Sequence, residues 1–342
     1  MTARTVAAVA VCLTAVAAVH STAQQADGAA AAPSAREQAL AKATPAGAVQ
    51  QTLEVDGRTR SYWLVAPALE TPKPRPLLFV LHGGGTSDAR VTFRYRFQDI
   101  APREGFVTVH PNGLGAGWND GRDTGFLLER GGAADDVAFF RAMIARFVAD
   151  GTADPRRIYV TGGSNGALMT LRLACELADA VAGAAAVSGS LPTNFVDRCK
   201  PSRPIPMLLI SGTDDDMMPY AGGAVAAATR QDRGTVIGAR PTFDFWRKAN
   251  RCDPKRVKRE DWPDRLPDDG TTIRVEDGVR CAATTRLMTV TGGGHPMPGT
   301  DARTPARLQR EAGLGEARGS VSREVDGPAY IWDFLRPLTL PP

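Results

Sequence analysis

The sequence predicts an α/β fold with a mostly parallel central sheet flanked by helices. Three observations carry that prediction. Short apolar runs alternate with helical patterns from about Val49 to the C-terminus. Several of those runs end in glycines, as in "PLLFVLHGGG", "RRIYVTGGSNG" and "TTRLMTVTGGGH". The 342 residues are 43% hydrophobic and 23% charged, which is ordinary globular composition with ample length for a large core. Strand–helix alternation of this kind buries its apolar faces best with helices packed on a parallel sheet.

The elements follow in order. "MTAR" supplies a positive start, Thr5 to Val19 is a short uncharged apolar run, and Ser21-Thr22-Ala23 places small residues where a signal peptidase inspects them. Residues 1–23 therefore read as a signal peptide, and the run is short for a membrane span. Cys12 follows Val11, not the small residue a lipoprotein signal wants. Residues 24–47 are Ala-rich and read as a flexible lead-in or weak helix, with a single catalytic domain over 48–342. "VQQTLEV" and "RSYWLVAP" form a strand pair around Asp56-Gly57, a dipeptide suited to a tight hairpin.

"PLLFVLHGGG" and "GFVTVHPNG" are buried strands. "DDVAFFRAMIARFVAD" is a helix with Val137, Phe140, Ile144, Phe147 and Val148 on one face and Asp135 and Asp136 suited to its N-terminus. "RRIYV" is a strand running into a glycine-rich turn, and "NGALMTLRLACELAD" is the helix after it. "VAGAAAVSG", "IPMLLISGT" and "TTRLMTVTGGGH" are further strands, and "AYIWDFLRPL" is a closing helix stopped by proline.

In parallel sheets ligands bind beyond the carboxyl ends of the strands, so reactive residues are sought there. Gly162-Gly163-Ser164-Asn165-Gly166 fits G-x-S-x-G in a strand–turn–helix setting. That is the context of a nucleophile elbow, a turn too tight for bulky flanking side chains. The competing reading is a glycine-rich turn with a capping serine. A serine hydroxyl needs a base. After signal removal only His82, His110 and His295 remain, and only His295 lies downstream of Ser164. Its loop, "TGGGHPMPGT", suits neither helix nor strand. A carboxylate should orient the imidazole, and "IPMLLISGTDDDMMPY" offers Asp214, Asp215 and Asp216. Alternation cannot choose among them, because the strand has ended.

An acyl-transfer site also needs donors for a tetrahedral oxyanion. One is the N–H of the residue after the nucleophile, Asn165. The other comes from a loop after an early strand, where "LHGGGTS" offers Gly84, with Gly85 second. Each such donor is worth about 3 kcal/mol of barrier. A phosphate loop is disfavoured, since no G-K-[ST] follows. Trp118, in "AGWNDGRD", is assigned to the substrate pocket, with core packing as its alternative, and Met217 and Met218 are weaker candidates of the same kind.

Other chemistry is set aside. The basic run "DPKRVKRED" already contains three acids and no nucleic-acid module accompanies it, so it reads as solvated surface. The histidines are too few and the cysteines wrongly spaced for a zinc site, so no metal or organic cofactor is expected. Cys175, Cys199, Cys252 and Cys281 remain in the exported chain; two disulfides are expected, three pairings are open, and pairing sequence neighbours closes two short loops at about 3 kcal/mol each.

Together "LHGGGTS", "HPNG…GWNDGR", "DDVAFFRAMI", "DPRRIYVTGGSNGALM", "ISGTDDDMMPY", "FWRKANRCDP" and "GGGHPMPG" resemble the secreted esterase family of poly(3-hydroxybutyrate) depolymerases and feruloyl or acetylxylan esterases, from about Thr71 to Pro337. The resemblance implies the α/β-hydrolase fold and a Ser-His-Asp triad of Ser164, His295 and Asp215. The acid follows from its place in the family's G-T-x-D-x-x-[VM]-P-Y stretch. It also implies a Cys252–Cys281 disulfide, with Cys175–Cys199 as a second pair. The family commonly has G-G-G-H-x-W-P-G, and this chain has Met297 at the tryptophan position, so Met297 is assigned to substrate preference. The family's early loop often carries a cysteine where this chain has Gly84. No linker or polymer-binding domain follows the last helix, which favours short or soluble esters over insoluble polyester. The expectation is a secreted or periplasmic serine carboxylesterase acting on a small-molecule or oligomeric ester, without nucleic-acid partner or stable membrane insertion. A non-catalytic protein on the same scaffold and a serine peptidase are the rivals. Pro263 to Val279 and Asp301 to Gly327 are expected to border the site.

Overall fold

In the run Leu77-Leu78-Phe79-Val80-Leu81 successive side chains point to opposite faces of a strand, yet every one is buried. Such a strand needs cover on both faces. In the computed structural model, which describes residues 34–67, 73–115, 117–124, 134–226, 232–300 and 320–341, it lies at the centre of a ten-stranded sheet. The signal peptide expected at 1–23 and most of the Asp301 to Gly327 segment lie outside the described residues.

The large sheet is built from β1 (Val49–Val55), β2 (Arg58–Val65), β3 (Arg75–Leu81), β4 (Val107–Pro111), β5 (Ala153–Gly163), β6 (Gly183–Val187), β7 (Met207–Gly212), β10 (Val257–Asp261), β11 (Thr272–Gly278) and β12 (Thr285–Thr291). Their spatial order is β1-β2-β4-β3-β5-β6-β7-β12-β11-β10, and β8 (Gly223–Ala224) with β9 (Thr235–Val236) forms a separate small hairpin. The six strands from β4 to β12 run parallel. Antiparallel hairpins flank them on both sides. The β1–β2 turn uses Asp56 and Gly57 at φ 49° and 70°, the paired left-handed conformation a two-residue hairpin requires.

Helices cover both faces. On one, α3 (Asp136–Ala149), α4 (Asn165–Glu176) and α5 (Ala239–Ala249) bury Phe140, Phe147, Leu171, Phe243 and Trp246 against Leu77, Phe79, Val160 and Leu209. On the other, α2 (Phe97–Glu104) and α6 (Gly327–Leu335) bury Phe97, Ile100, Ile331 and Trp332 against Leu78, Val80, Tyr159 and Leu208. Each such apolar side chain contributes about 1.5–3 kcal/mol when taken out of water. The Asp135 carboxylate caps α3 by accepting the Ala138 N–H, and Asp326 caps α6 through Ala329.

Six of these elements have no counterpart in the sequence reading: β8, β9, β10, β11, α2 and α5. β10 reads "VKRED", exposed after its first residue, so apolar periodicity could not mark it. It is an edge strand whose charges pair, Arg274 with Asp261 and Arg259 with Glu276, which discourages edge-to-edge association. β11 sets its buried Ile273 and Val275 among charged residues, and α2 is short and contains Pro102. Helix α5 carried a readable signal, Phe243 and Trp246 one turn apart. Of the two readings of the lead-in, the described part takes the helical one. Ala35–Ala43 forms helix α1, capped by Ser34, with Leu40 buried, and it falls in the compact unit that starts at Ser34.

The cysteines pair as Cys175–Cys199 and Cys252–Cys281. A side chain at Gly278 would stand 2.7 Å from both sulfurs of the second bridge, so the absence of a Cβ there makes room for it. Among the described residues no helix is long and apolar enough to cross a membrane.

Candidate active site

Strand β5 ends at Gly163 and α4 begins at Asn165, so one residue, Ser164, must turn the chain. It does so at φ 58°, ψ −125°, a conformation that L-residues hold only when surrounding structure imposes it. The flanking glycines explain how the turn fits. A Cβ at Gly162 would lie 2.7 Å from the Gly166 carbonyl oxygen, and one at Gly166 would lie 2.5 Å from that of His82. The Ser164 N–H donates to the Val187 carbonyl at the end of β6. The serine is half-buried at the carboxyl end of the sheet, at the N-terminus of α4, and its carbonyl accepts the N–H groups of Ala167 and Leu168.

His295 follows β12 in the predicted loop. Its Nδ1 lies 2.8 Å and 3.0 Å from the two oxygens of Asp215. A carboxylate only accepts, so Nδ1 carries the proton and Nε2 is left with the basic lone pair. The structure thereby chooses among three adjacent aspartates. Asp214 and Asp216 are exposed, whereas the Asp215 side chain is 1% exposed and also accepts the N–H groups of Met217 and Met218. Met217 and Met218, the weaker pocket candidates, thus meet Asp215 through their backbone N–H groups. Met218 itself packs in a small core cluster with Leu168 and Val236. Behind the loop, the Gly294 N–H donates to the Ser320 carbonyl and Gly299 N–H to that of Ser322, so part of the 301–327 segment braces His295. Of the 263–279 segment, Thr271 reaches that brace by donating to the Ser322 hydroxyl.

The early glycine loop also reaches the elbow. A Cβ at Gly83 would lie 3.4 Å from that of Ser164, and one at Gly84 would lie 3.5 Å from that of Asn165. Gly85, the second choice for an oxyanion donor, has nothing within that range and turns the chain at φ 88°. Preceding them, His82 is buried. Its Nε2 accepts the Gly113 N–H and its Nδ1 donates to the Gly83 carbonyl. Burial pushes its pKa down to about 4, and burial likewise pushes that of His110 to about 3. His110 sits in β4 between the hydroxyls of Thr92 and Thr108.

Two assignments are corrected. Trp118 is 0% exposed. Its indole N–H donates to the His82 carbonyl, and its ring packs on His82 and Phe140. It supports the site from beneath and offers no face to a substrate. Met297 is 3% exposed and packs in the core that includes Ile331 and Trp332 of α6. A side chain at Gly327, where α6 starts, would stand 3.2 Å from its Cγ. The family's tryptophan position is therefore a packing position in this chain.

The sequence reading passed over a buried network beside the elbow. Asn165 donates through Nδ2 to Asp120 and to the Trp118 carbonyl, and its Oδ1 accepts the Trp118 N–H. Asp120 is paired with Arg122, and the Asn119 N–H donates to Asp136, itself paired with Arg60. The signal for these residues was the polar string "WNDGR" between apolar elements. A cavity of about 500 Å³ at the same end of the sheet is lined by Trp63, Asp88, Arg90 and Asn112, and by none of Ser164, Asp215 and His295. Asp88 is held there by Arg90, and Asn112 by Ser61 and Ala89. Among the described residues, no group of three or more His, Cys, Asp or Glu could hold a metal ion.

Comparison with known proteins gives a consistent picture. The profile of the phospholipase/carboxylesterase family matches residues 70–235. NocK of Nocardia uniformis subsp. tsuyamanensis, a protein provisionally named an esterase, is 33% identical over 259 residues, covering 72% of both chains. Feruloyl esterase B of Piromyces equi is 34% identical over 166 residues, 47% of this chain and 29% of that one. Feruloyl esterase C of Emericella nidulans is 29% identical over 177 residues, 50% of this chain and 60% of that one. The chain thus spans less than two thirds of either feruloyl esterase. The acetyl xylan esterase from Aspergillus awamori shares the fold at TM-score 0.50 and 13% identity, over 78% of this chain and all of that one.

Proposed function

Because the chain belongs to the phospholipase/carboxylesterase family, and is with it a carboxylic ester hydrolase of α/β-hydrolase fold, we propose that Ser164, His295 and Asp215 form its catalytic triad. The observation that carries this reading is the strained elbow serine at the same sheet end as a histidine whose Nδ1 is held by a buried carboxylate. Ser164 Oγ attacks the ester carbonyl carbon while its proton passes to His295 Nε2. The backbone N–H groups of Gly84 and Asn165 receive the negative charge that develops on the carbonyl oxygen. The carbon–oxygen bond to the alcohol then breaks, and the His295 proton goes to the leaving alkoxide. Water, deprotonated by His295, attacks the acyl-enzyme and releases the carboxylic acid and the free serine. Asp215 keeps the proton on Nδ1 and stabilises the imidazolium without accepting its proton.

The substrate class we propose is a short or soluble ester of feruloyl, acetyl or 3-hydroxybutyryl type. It rests on the feruloyl and acetylxylan esterases among the relatives and on the resemblance to poly(3-hydroxybutyrate) depolymerases. Two disulfides and the signal-like N-terminal sequence support release into an oxidising compartment. The decisive experiment is hydrolysis of a short p-nitrophenyl ester by the Ser164→Ala variant. Turnover is expected to fall by several orders of magnitude. Undiminished hydrolysis would remove Ser164 from the mechanism. A panel of feruloyl, acetyl and 3-hydroxybutyryl esters then ranks the acyl groups.

A further inference from the structure

An elbow uses only the backbone N–H of the residue after its serine, so G-x-S-x-G leaves the side chain at position 165 free. Here that side chain is not free. Asn165 is buried, and each polar atom of its amide is spent on one loop. Oδ1 accepts the Trp118 N–H at 2.8 Å, and Nδ2 donates to the Trp118 carbonyl at 3.2 Å and to Asp120 Oδ2 at 2.6 Å. The loop fits against it closely. A Cβ at Gly117 would lie 2.5 Å from Asn165 Oδ1.

The same loop grips the other side of the oxyanion hole. Trp118 Nε1 donates to the His82 carbonyl, and the Gly113 N–H donates to His82 Nε2. His82 leads directly into Gly83 and Gly84. One stretch of chain therefore holds both strands that supply oxyanion donors.

Its anchor is Asp120, which has no exposed surface. A bare carboxylate there would repel a developing oxyanion in a medium of low dielectric. Arg122 removes that difficulty. Its Nε lies 3.0 Å from both Asp120 oxygens, its Nη2 lies 2.6 Å from one of them, and its backbone N–H donates to the other. Arg122 is fixed in turn by donating to the Arg233 carbonyl, and the Gly121 carbonyl accepts from Asn194 and Arg198.

We propose that Asp120, charge-balanced by Arg122, is a positioning residue of the oxyanion hole: it holds the Asn165 amide and thereby fixes the Asn165 backbone N–H relative to Gly84. This rests on reading Ser164 as the nucleophile and the Asn165 N–H as an oxyanion donor. The clamp acts where charge appears, so it matters for the tetrahedral state and little for ground-state binding.

The test compares Asp120→Asn and Asn165→Ala with the wild type in two assays. One is hydrolysis of a p-nitrophenyl ester. The other is inhibition by an alkyl trifluoromethyl ketone, which adds to the serine to give a tetrahedral oxyanion. Each variant should lose roughly 10- to 100-fold in kcat, with KM within a few-fold, and the inhibitor Ki should rise by the same factor. The double variant should lose no more than the worse single one, because both changes break one unit. If Asp120→Asn fails to fold with Arg122 left unpaired, Asn165→Ala still decides, since it keeps the backbone donor and removes only the tether. Wild-type kcat and Ki in Asn165→Ala overturn the proposal, and so does a loss confined to KM or to melting temperature. Ser164→Ala separates the two layers. If it stays active, the nucleophile reading fails. If it is inactive while Asn165→Ala behaves as wild type, the clamp alone fails.

Discussion

The two sides of the proposed active site are built differently. On the oxyanion side, Asn165, Trp118, Asp120 and His82 are all buried and joined by hydrogen bonds through a single loop. On the acid–base side, the His295 side chain is 21% exposed and its Nδ1 is held by Asp215, in a loop of glycines and prolines. The difference follows from what each side has to do. Charge develops at one point on the carbonyl oxygen, so donors aimed at it gain from rigidity. The imidazole must take a proton from one oxygen and deliver it to another, so it needs an anchor at one nitrogen and room at the other.

Three further changes probe that contrast. Asp215→Asn attacks the carboxylate that holds Nδ1 on the open side. It keeps the shape, but an amide can present Nδ2–H to Nδ1 and favour the wrong tautomer. A loss of about 10⁴-fold in kcat is expected with the fold intact by circular dichroism. A loss below tenfold would mean that His295 is oriented by something else.

The second concerns the closed side and pH. His82 and His110 are neutral in the folded protein down to about pH 4 and about pH 3. In the unfolded chain they take up protons near pH 6.5. Lowered folded-state pKa values mean that stability is fully present above pH 6.5 and is lost as pH falls toward 4. For His82 alone the loss is on the order of 3 kcal/mol by linkage. Urea midpoints at pH 7 and 4.5 should separate accordingly, and His110→Gln should reduce the separation. Equal midpoints in the wild type would contradict neutral burial.

The smallest effect is expected from Trp118→Phe. It retains most of the packing and deletes the N–H that reaches the His82 carbonyl. Denaturation should report a loss of about 1–3 kcal/mol, the cost of a buried acceptor left without its donor, with only a few-fold drop in kcat. A large rise in KM would instead return Trp118 to the substrate pocket.

Much of this was legible in the sequence for local reasons. Gly162 and Gly166 are required by an elbow whatever surrounds it, and the strands of the parallel core announce themselves because both faces are buried. The hairpin turn at Asp56-Gly57 is likewise a local matter of φ. Residue type misled at Trp118, Met297 and Met218, which are buried. An apolar side chain near a motif can line a pocket or fill the layer beneath it, and its identity is the same in both cases. The edge strand β10 was missed because it shows no apolar pattern.

By itself, then, the sequence determined the α/β class, the elbow around Ser164, and His295 as the histidine downstream of it. Those conclusions depend on residue order and on backbone conformations that few residue types tolerate. The tertiary structure decided which of three neighbouring aspartates faces the imidazole, where Trp118 and Met297 lie, and why position 165 is asparagine. Asp215 and His295 are 80 positions apart, and Asp120 and Asn165 are 45 apart. Contacts at such separations are set by the packing of the strands and helices between them, which no local pattern encodes.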